Sequence, residues 1–172
     1  ALAHVQSTES IFDYDLPAPP TLGTDLSRQD FTKLHEYQDH RTPAQCAAAD
    51  AQTSPTFKNF FGPQTGILTQ KEYDQVTGLS FKLTTKSGPI IFFFKKKYQR
   101  PRPYTTDRTL TPCIQKPGDL SYPSGHAALG YLFALALAEK FPAKRDLILK
   151  QGFQIGENRL IGGVHHPSDV EA

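Results

Sequence analysis

The sequence lacks long apolar runs and internal repeats, and these absences narrow the class of protein. Its longest uncharged apolar run, Ala127 to Ala138, covers 12 residues, whereas a membrane-spanning helix needs about 20. We therefore expect no transmembrane segment. The 14 Pro and 12 Gly recur without a period, which excludes collagen-like and low-complexity classes. At 172 residues, the chain suits one globular domain.

The net charge of the chain is also small, at a formal value of +2. That value is too small to predict binding to nucleic acid. The distribution is uneven, however, since the segment from 95 to 108 has one acid, Asp107, against six basic residues: Lys95, Lys96, Lys97, Arg100, Arg102 and Arg108. This segment predicts an anion-binding site, or a basic surface that binds polyanions.

The remaining pattern predicts an all-α protein. Residues 1–22, with Pro17, Pro19 and Pro20, are typical of an extended proline-rich arm, and residues 23–172 of a helical domain. Three helix starts are indicated. They are a cap at Asp25 followed by Leu26, Leu34 and Tyr37 at helical spacing, Thr42-Pro43, and the capping box from Thr69 to Glu72.

Two later segments are assigned to helices. Ile90 to Phe94 is apolar enough for a buried strand, but a strand without a partner leaves its backbone groups unpaired, so we favour helix. After Pro142 the pattern predicts one long helix that ends near Gly162 and Gly163. Its expected inner face is Leu147, Ile148, Phe153, Ile155 and Leu160.

A turn opens directly onto the most apolar stretch, in "SYPSGHAALGYLFALALAEKF" from 121 to 141. If Ser124 caps a helix that begins at Gly125, the unpaired N–H groups of the first turn form an anion site. Gly125 then lets a ligand approach the backbone closely. The alternative is an ordinary turn before a core helix, with His126 bonded to a neighbour.

Three spaced blocks resemble the motifs of the phosphatidic acid phosphatase type 2 superfamily, which includes class A acid phosphatases and vanadium-dependent haloperoxidases. The blocks are Lys95-x6-Arg102-Pro103, Pro123-Ser-Gly-His126, and Arg159-x5-His165-x3-Asp169. The resemblance implies a helical bundle around a central buried helix. The stretches "SYPSGH" and "HHPSDVEA" look like the exported acid phosphatase branch, which implies a periplasmic or secreted protein.

The resemblance also implies metal-independent hydrolysis of phosphate monoesters through a phosphohistidine, without a cofactor. His165 would attack phosphorus, Asp169 would orient it, and His126 would act as general acid and then general base. Phosphate oxygens would be bound by Lys95, Arg102, Ser124, Gly125 and Arg159. Phosphate and vanadate are then the expected inhibitors.

Simpler roles are available for some of these residues. Lys96 and Lys97 fit a solvated helix face, and Arg159 could pair with Glu157 or Asp169. We expect His166 to lie beside the site rather than in it. A metal site built on the adjacent histidines is disfavoured, because neighbouring side chains on regular backbone point apart.

The chain departs from the pattern of the superfamily at three points. Asn158 stands where the third motif usually has Ser, and Pro167 should interrupt any helix that joins His165 to Asp169. Family members also continue beyond the position of Ala172 with a further helix, so the resemblance implies that a C-terminal helix is missing.

Two other functions stay open at this point. A haloperoxidase would bind vanadate in a similar site, and a non-enzymatic module would bind polyanions through the segment from 95 to 108. The chain has two cysteines, Cys46 and Cys113. Because an even pair in an exported protein is typical of a disulfide, we predict that they are bonded to each other.

Overall fold

The computed structural model describes residues 15–172, and within that range every regular element is helical. The predicted all-α class is therefore confirmed. The α-helices, in chain order, are α1 (Asp25–His40), α2 (Pro43–Asp50), α3 (Phe57–Phe61), α4 (Gln70–Asp74), α5 (Thr77–Tyr98), α6 (Pro103–Thr106), α7 (Gly125–Lys140), α8 (Arg145–Ile161) and α9 (Pro167–Glu171).

Most of the predicted N-terminal arm, residues 1–14, lies outside the described residues. Residues 15–21 have no regular secondary structure. They are tied to the helical domain, because the Tyr98 hydroxyl donates to the Leu16 carbonyl and the Tyr122 hydroxyl to the Pro17 carbonyl. The division into arm and domain stays a prediction.

Side-chain caps begin the three helices whose starts the sequence indicated near Asp25, Thr42 and Thr69. Thr42 and Thr69 begin capping boxes at α2 and α4, as predicted. The predicted cap of α1 was wrong by one residue, because the Thr24 hydroxyl, rather than Asp25, accepts the Ser27 N–H at 3.3 Å. Threonine at this position satisfies one of the amides that the first helical turn leaves unpaired.

Helices α7 and α8 form the centre of the molecule and pack directly on each other. Glycines allow their backbones to approach closely. A Cβ atom at Gly130 would lie 2.9 Å from Ile155, and one at Gly152 would lie 2.5 Å from the Ala134 Cβ. The predicted central buried helix is α7, whose inner side includes Phe133, a side chain that is 1% exposed.

The ambiguous segment from 90 to 94 lies within α5, so the helix assignment is confirmed. Two of the five inner-face predictions for α8 were wrong, because Leu147 and Phe153 are 47% and 64% exposed. The other three, Ile148, Ile155 and Leu160, are buried as predicted. Leu147 and Phe153 lie one and two positions before Ile148 and Ile155, which places them off the buried side of the helix. Leu26, expected at helical spacing in α1, is 62% exposed. In α1 the buried side includes two polar residues, Ser27 and Asp30, which the apolar pattern could not identify.

A second apolar cluster lies beside the central helix pair. It joins α1 and α2 to α6, to the segment that follows α6 and to the turn after α8, and it consists of Leu34, Ala49, Tyr104, Leu110, Ile114 and Val164. The disulfide between Cys46 and Cys113 connects α2 to the segment that follows α6, as predicted. Within residues 15–172, no helix is both long and apolar enough to span a bilayer.

Candidate active site

A cavity of about 510 Å³ opens where the three sequence blocks meet. Six of the eight predicted site residues line it, namely Lys95, Arg102, Gly125, His126, Arg159 and His165. The other two, Ser124 and Asp169, are fully buried next to these residues. The fold therefore brings together three blocks that are far apart in the chain.

His165 lies in the turn between α8 and α9 and is 2% exposed. Its Nδ1 lies 3.2 Å from the Asp169 Oδ2, and its Nε2 lies 2.8 Å from the Arg102 Nη1, which can only donate. Nδ1 therefore carries the proton and Nε2 a lone pair. Burial lowers the pKa of His165 to about 3, although Asp169 acts in the opposite direction.

Both carboxylate oxygens of Asp169 accept hydrogen bonds. Its Oδ1 accepts from the Arg100 Nη1 at 2.6 Å, and its Oδ2 accepts from the Ser121 hydroxyl at 2.5 Å and the His166 N–H at 2.8 Å. Burial acts to raise the pKa of Asp169, but the hydrogen bonds from His165 and His166 hold it well below the usual aspartate value. The carboxylate is thus ionised and fixed beside the imidazole.

Arg100 is a site residue that sequence reasoning did not single out from the basic segment. It is 8% exposed and bridges Asp169 to Asp30, with 2.8 Å between its Nη2 and the Asp30 Oδ2. Its only sequence signal was its place in the basic segment from 95 to 108. Because Arg100 sits between two carboxylates, its charge is balanced before any ligand binds.

Lys95 and Arg102 lie side by side, and Asp119 contacts both. Arg102 donates through Nη1 to the Val164 carbonyl at 2.7 Å and through Nε to the Asp119 carbonyl at 2.9 Å. The Asp119 carboxylate bonds the Arg102 Nη2 and lies 3.2 Å from the Lys95 Nζ. Burial and the charge of Arg102 both lower the pKa of Lys95.

Arg159, in the last turn of α8, is 2% exposed. Its Nη2 donates to the Ala49 carbonyl, but its Nε is buried without a hydrogen-bond partner among the residues that the structure describes. Neither Glu157, which bonds Tyr37, nor Asp169 pairs with it. Burial lowers the pKa of Arg159 to about 10, although the charge of Asp50 acts in the opposite direction, so the guanidinium stays charged while its Nε is unpaired within residues 15–172.

His126 is held through its Nε2, which lies 3.0 Å and 3.1 Å from the Gln52 and Thr53 carbonyls. Since carbonyls only accept, Nε2 carries the proton and Nδ1 is the nitrogen left for a ligand. Burial and the charge of Arg159 lower the pKa of His126 to about 4. The turn after α2 that orients this ring was not identified from the sequence.

Ser124 is buried next to the cavity and connects the start of α7 to Asp169. Its hydroxyl caps α7 by accepting from the Ala127 N–H at 3.3 Å, and its own N–H donates to the Asp169 carbonyl at 2.8 Å. The predicted start of α7 at Gly125 is confirmed. Gly125 lies on the cavity wall, where a Cβ would meet only Ile91 at 3.6 Å.

The residues that adjoin the three motifs have defined positions as well. Lys96 and Lys97 are exposed, as expected. His166 is buried beside the site and contacts Asp169 Oδ2 at 3.1 Å. Asn158, which replaces the usual Ser, donates to the Gln52 side chain at 2.8 Å. Pro167 begins α9, so His165 precedes that helix while Asp169 lies within it.

The segment from 95 to 108 does not form one exposed basic patch, because Lys95, Arg100 and Arg102 are buried. Within residues 15–172, no group of three or more His, Cys, Asp or Glu side chains has the arrangement of a metal site. Lys95 and Arg102 instead line the cavity that contains both histidines, and Arg100 lies behind it against Asp169.

The chain is similar in sequence and fold to known proteins. Residues 78–172 match the profile of the PAP2 superfamily. The chain is 34% identical over 167 residues to a non-specific acid phosphatase of Providencia stuartii, which covers 91% of this chain and 67% of that protein. It is 34% identical over 135 residues to a non-specific acid phosphatase of Salmonella typhimurium, covering 73% of this chain but only 53% of the relative.

A more distant relative is an acid phosphatase of Zymomonas mobilis, 27% identical over 99% of this chain and 70% of that protein. Among solved structures, a transmembrane PAP2-type phosphatidylglycerolphosphate phosphatase from Bacillus subtilis superimposes with a TM-score of 0.60. That alignment covers 86% of this chain and 79% of the other at 17% identity, which supports the fold alone. From its profile match, its relatives and its fold, the chain belongs to the PAP2 superfamily, within the acid phosphatase branch.

Proposed function

We propose that this protein hydrolyses phosphate monoesters through a phosphohistidine on His165. The observation that carries the proposal is Arg159, a buried guanidinium whose Nε has no partner among the described residues and which lines the same cavity as His165. An unpaired buried charge is unfavourable unless an anion compensates it. A phosphoryl group supplies that anion and places phosphorus near the nucleophile.

In the first step the His165 Nε2 lone pair attacks phosphorus, and an N–P bond forms as the ester P–O bond breaks. The bond between Nδ1 and Asp169 fixes the tautomer and stabilises the positive ring. Arg102, now bonded to Nε2, turns to a phosphate oxygen. With Lys95 and Arg159 it holds the charge that develops on the equatorial oxygens.

His126 moves the protons through its Nδ1. It donates a proton to the departing alcohol oxygen, then removes one from the water that hydrolyses the N–P bond. In the free site its pKa of about 4 keeps it neutral at most pH values. The negative charge of a bound phosphate raises that pKa and favours the protonated form that the first step needs.

The substrate class is soluble or amphiphilic phosphate esters, with inorganic phosphate and vanadate as competitive inhibitors. No metal or cofactor is needed, because the cavity side chains provide the charge, the nucleophile and the proton donor. We place the protein in the periplasm or outside the cell, which fits its cysteines being joined in a disulfide.

The test is turnover of p-nitrophenyl phosphate by the purified protein, with and without EDTA. We expect hydrolysis that EDTA leaves unchanged and that vanadate inhibits. Activity that EDTA abolishes and one added metal restores would contradict the metal-independent mechanism. Halide oxidation with vanadate and peroxide, without phosphate release, would favour a haloperoxidase instead.

His165→Ala tests the nucleophile directly. The variant should lose turnover and still bind inorganic phosphate in calorimetry, because the cationic side chains that bind phosphate are on other residues. In wild-type protein quenched with alkali during turnover, mass spectrometry should find phosphate on the peptide that contains His165. Turnover close to wild type in the variant would exclude the phosphohistidine.

A further inference from the structure

Three buried cations line the cavity, Lys95, Arg102 and Arg159, and they differ in their partners. Lys95 and Arg102 are both in contact with the carboxylate of Asp119, through Oδ2 and Oδ1 respectively. Arg159 has no such partner, and its Nε makes no hydrogen bond within the part of the chain that the structure describes. Asp119 thus shares one negative charge between two of the groups that a phosphate would need, and it leaves the third without an ion-pair partner among the described side chains.

We infer that Asp119 is an internal competitor of the substrate: its carboxylate occupies Lys95 and Arg102 in the free enzyme, and a phosphate must displace it. The inference rests on the proposed function, because it takes these cations as the phosphate site. A carboxylate and a phosphate both present oxygens to neighbouring cations, so the two anions use the same donors.

The carboxylate is not needed to position the two cations, because backbone carbonyls already do so. Lys95 donates to the Leu120 carbonyl. Arg102 donates to the Asp119 carbonyl at 2.9 Å and to the Val164 carbonyl at 2.7 Å. Both cationic groups therefore keep their places when the Asp119 side chain moves away, and what the carboxylate adds is its charge.

The carboxylate is also free to leave. The Asp119 side chain is 57% exposed and lies in a segment, residues 115–120, without regular secondary structure. The carboxylates that pair with Arg100 differ, since the side chains of Asp30 and Asp169 are 6% and 0% exposed. Burial acts to raise the pKa of Asp119, but Arg102 and Lys95 hold it below the ordinary value, so the competitor stays ionised.

An internal competitor weakens the binding of every anion by the same factor, because the Asp119 contacts are broken once whatever the ligand charge. It therefore weakens the binding of the product phosphate as well, and speeds its release. Simple repulsion from a fixed carboxylate would behave differently. The repulsion energy doubles from a monoanion to a dianion, because it scales with ligand charge. The factor by which the carboxylate raises the dissociation constant of a dianion would therefore be about the square of the factor for a monoanion.

Asp119→Asn separates these cases. Calorimetry at about pH 8 gives the dissociation constants of two ligands. At that pH inorganic phosphate is mainly a dianion, and dimethyl phosphate is a monoanion. We expect both ligands to bind roughly tenfold more tightly to the variant, and by factors that agree within about twofold. Asp39→Asn is the control, because it removes an equal charge from an exposed site on α1 and should change neither constant.

Two results overturn the inference. A gain for phosphate that is close to the square of the gain for dimethyl phosphate would mean fixed repulsion, and unchanged or weaker binding would mean that Asp119 positions the cations. Asp119→Ser repeats the test if the Asn variant unfolds at a lower temperature. Failure of the proposed function is distinguishable, because then the wild type neither binds phosphate nor hydrolyses p-nitrophenyl phosphate.

Discussion

Two histidines face one cavity, but their surroundings give them different proton positions. His165 donates from Nδ1 to a carboxylate and keeps its Nε2 lone pair towards Arg102. His126 donates from Nε2 to backbone carbonyls, and its Nδ1 makes no hydrogen bond to any residue from 15 to 172. The first arrangement suits a nucleophile and the second a residue that exchanges protons with the leaving group and water.

The role of His126 predicts that its importance depends on the leaving group. An alkyl alcohol needs a proton to depart, whereas p-nitrophenol leaves readily as its anion. His126→Ala should therefore lose roughly 10² to 10⁴ in the phosphorylation rate of alkyl phosphates, and distinctly less for p-nitrophenyl phosphate. Single-turnover measurements isolate this step from the hydrolysis that follows.

Equal losses for both substrates would assign His126 to phosphate binding or to support of the α7 turn. His40→Gln is a suitable control, since His40 is exposed at the end of α1 and bonds only the Glu36 carbonyl among the described residues. That variant should keep wild-type rates with both substrates.

At the scale of elements, the pair α7 and α8 controls the distance between the two ends of the site. His126 lies in the first turn of α7, and Arg159 lies in the last turn of α8. The close approach of these helices at Gly130 and Gly152 therefore determines where both side chains stand. A change in the spacing of α7 and α8 therefore alters the cavity even when none of the residues that line it is substituted.

Gly152→Ala tests this dependence. The added methyl group would lie 2.5 Å from the Ala134 Cβ, so the helices must separate, and overpacking of this kind destabilises by about 1–3 kcal/mol. We expect a lower free energy of unfolding in urea and a lower kcat. Gly78→Ala is the matched control, because its Cβ meets nothing within 4 Å. An equally stable and active Gly152→Ala would contradict the proposed spacing.

At the scale of the whole molecule, the disulfide joins α2 to the segment that precedes α7, across a sequence separation of 67. Closing a loop of that length stabilises by on the order of 4 kcal/mol in the chain-entropy model. The same part of α2 supplies the Ala49 carbonyl to Arg159, and the following turn orients His126. Loss of the bridge should therefore affect both stability and catalysis.

We expect oxidised protein to have no free thiols by intact mass after alkylation. Cys46→Ala with Cys113→Ala should unfold at lower urea concentration and show reduced kcat. Two free thiols in protein prepared under oxidising conditions would remove the bridge and weaken the assignment to the periplasm or the exterior.

Both histidine pKa values also predict how stability depends on pH. Burial lowers them to about 4 for His126 and about 3 for His165, whereas an unfolded histidine titrates near 6.5. Below about pH 6.5 the unfolded state therefore binds protons that the folded state does not, and stability falls as pH falls towards 4. Urea unfolding at several pH values measures the slope.

His126→Gln removes one of these groups and should make that slope shallower by up to about 1.4 kcal/mol per pH unit. His40→Gln, at an exposed position, is again the control. A slope that is unchanged in His126→Gln would show that the ring is not buried in its neutral form.

The local pattern of the sequence determined the helical class, the starts of α2, α4 and α7, and the resemblance that selected the eight candidate site residues. Capping and spacing rules operate over a few residues, so one stretch of chain contains the information. Tertiary structure decided the rest. Asp30 meets Arg100 across 70 positions and Gln52 meets His126 across 74, and no local pattern specifies such pairs. Whether Leu147 and Phe153 face the core depends on how the helices pack. Whether Asp119 reaches Lys95 and Arg102 depends on the assembled cavity, because burial and charge balance are properties of the folded chain.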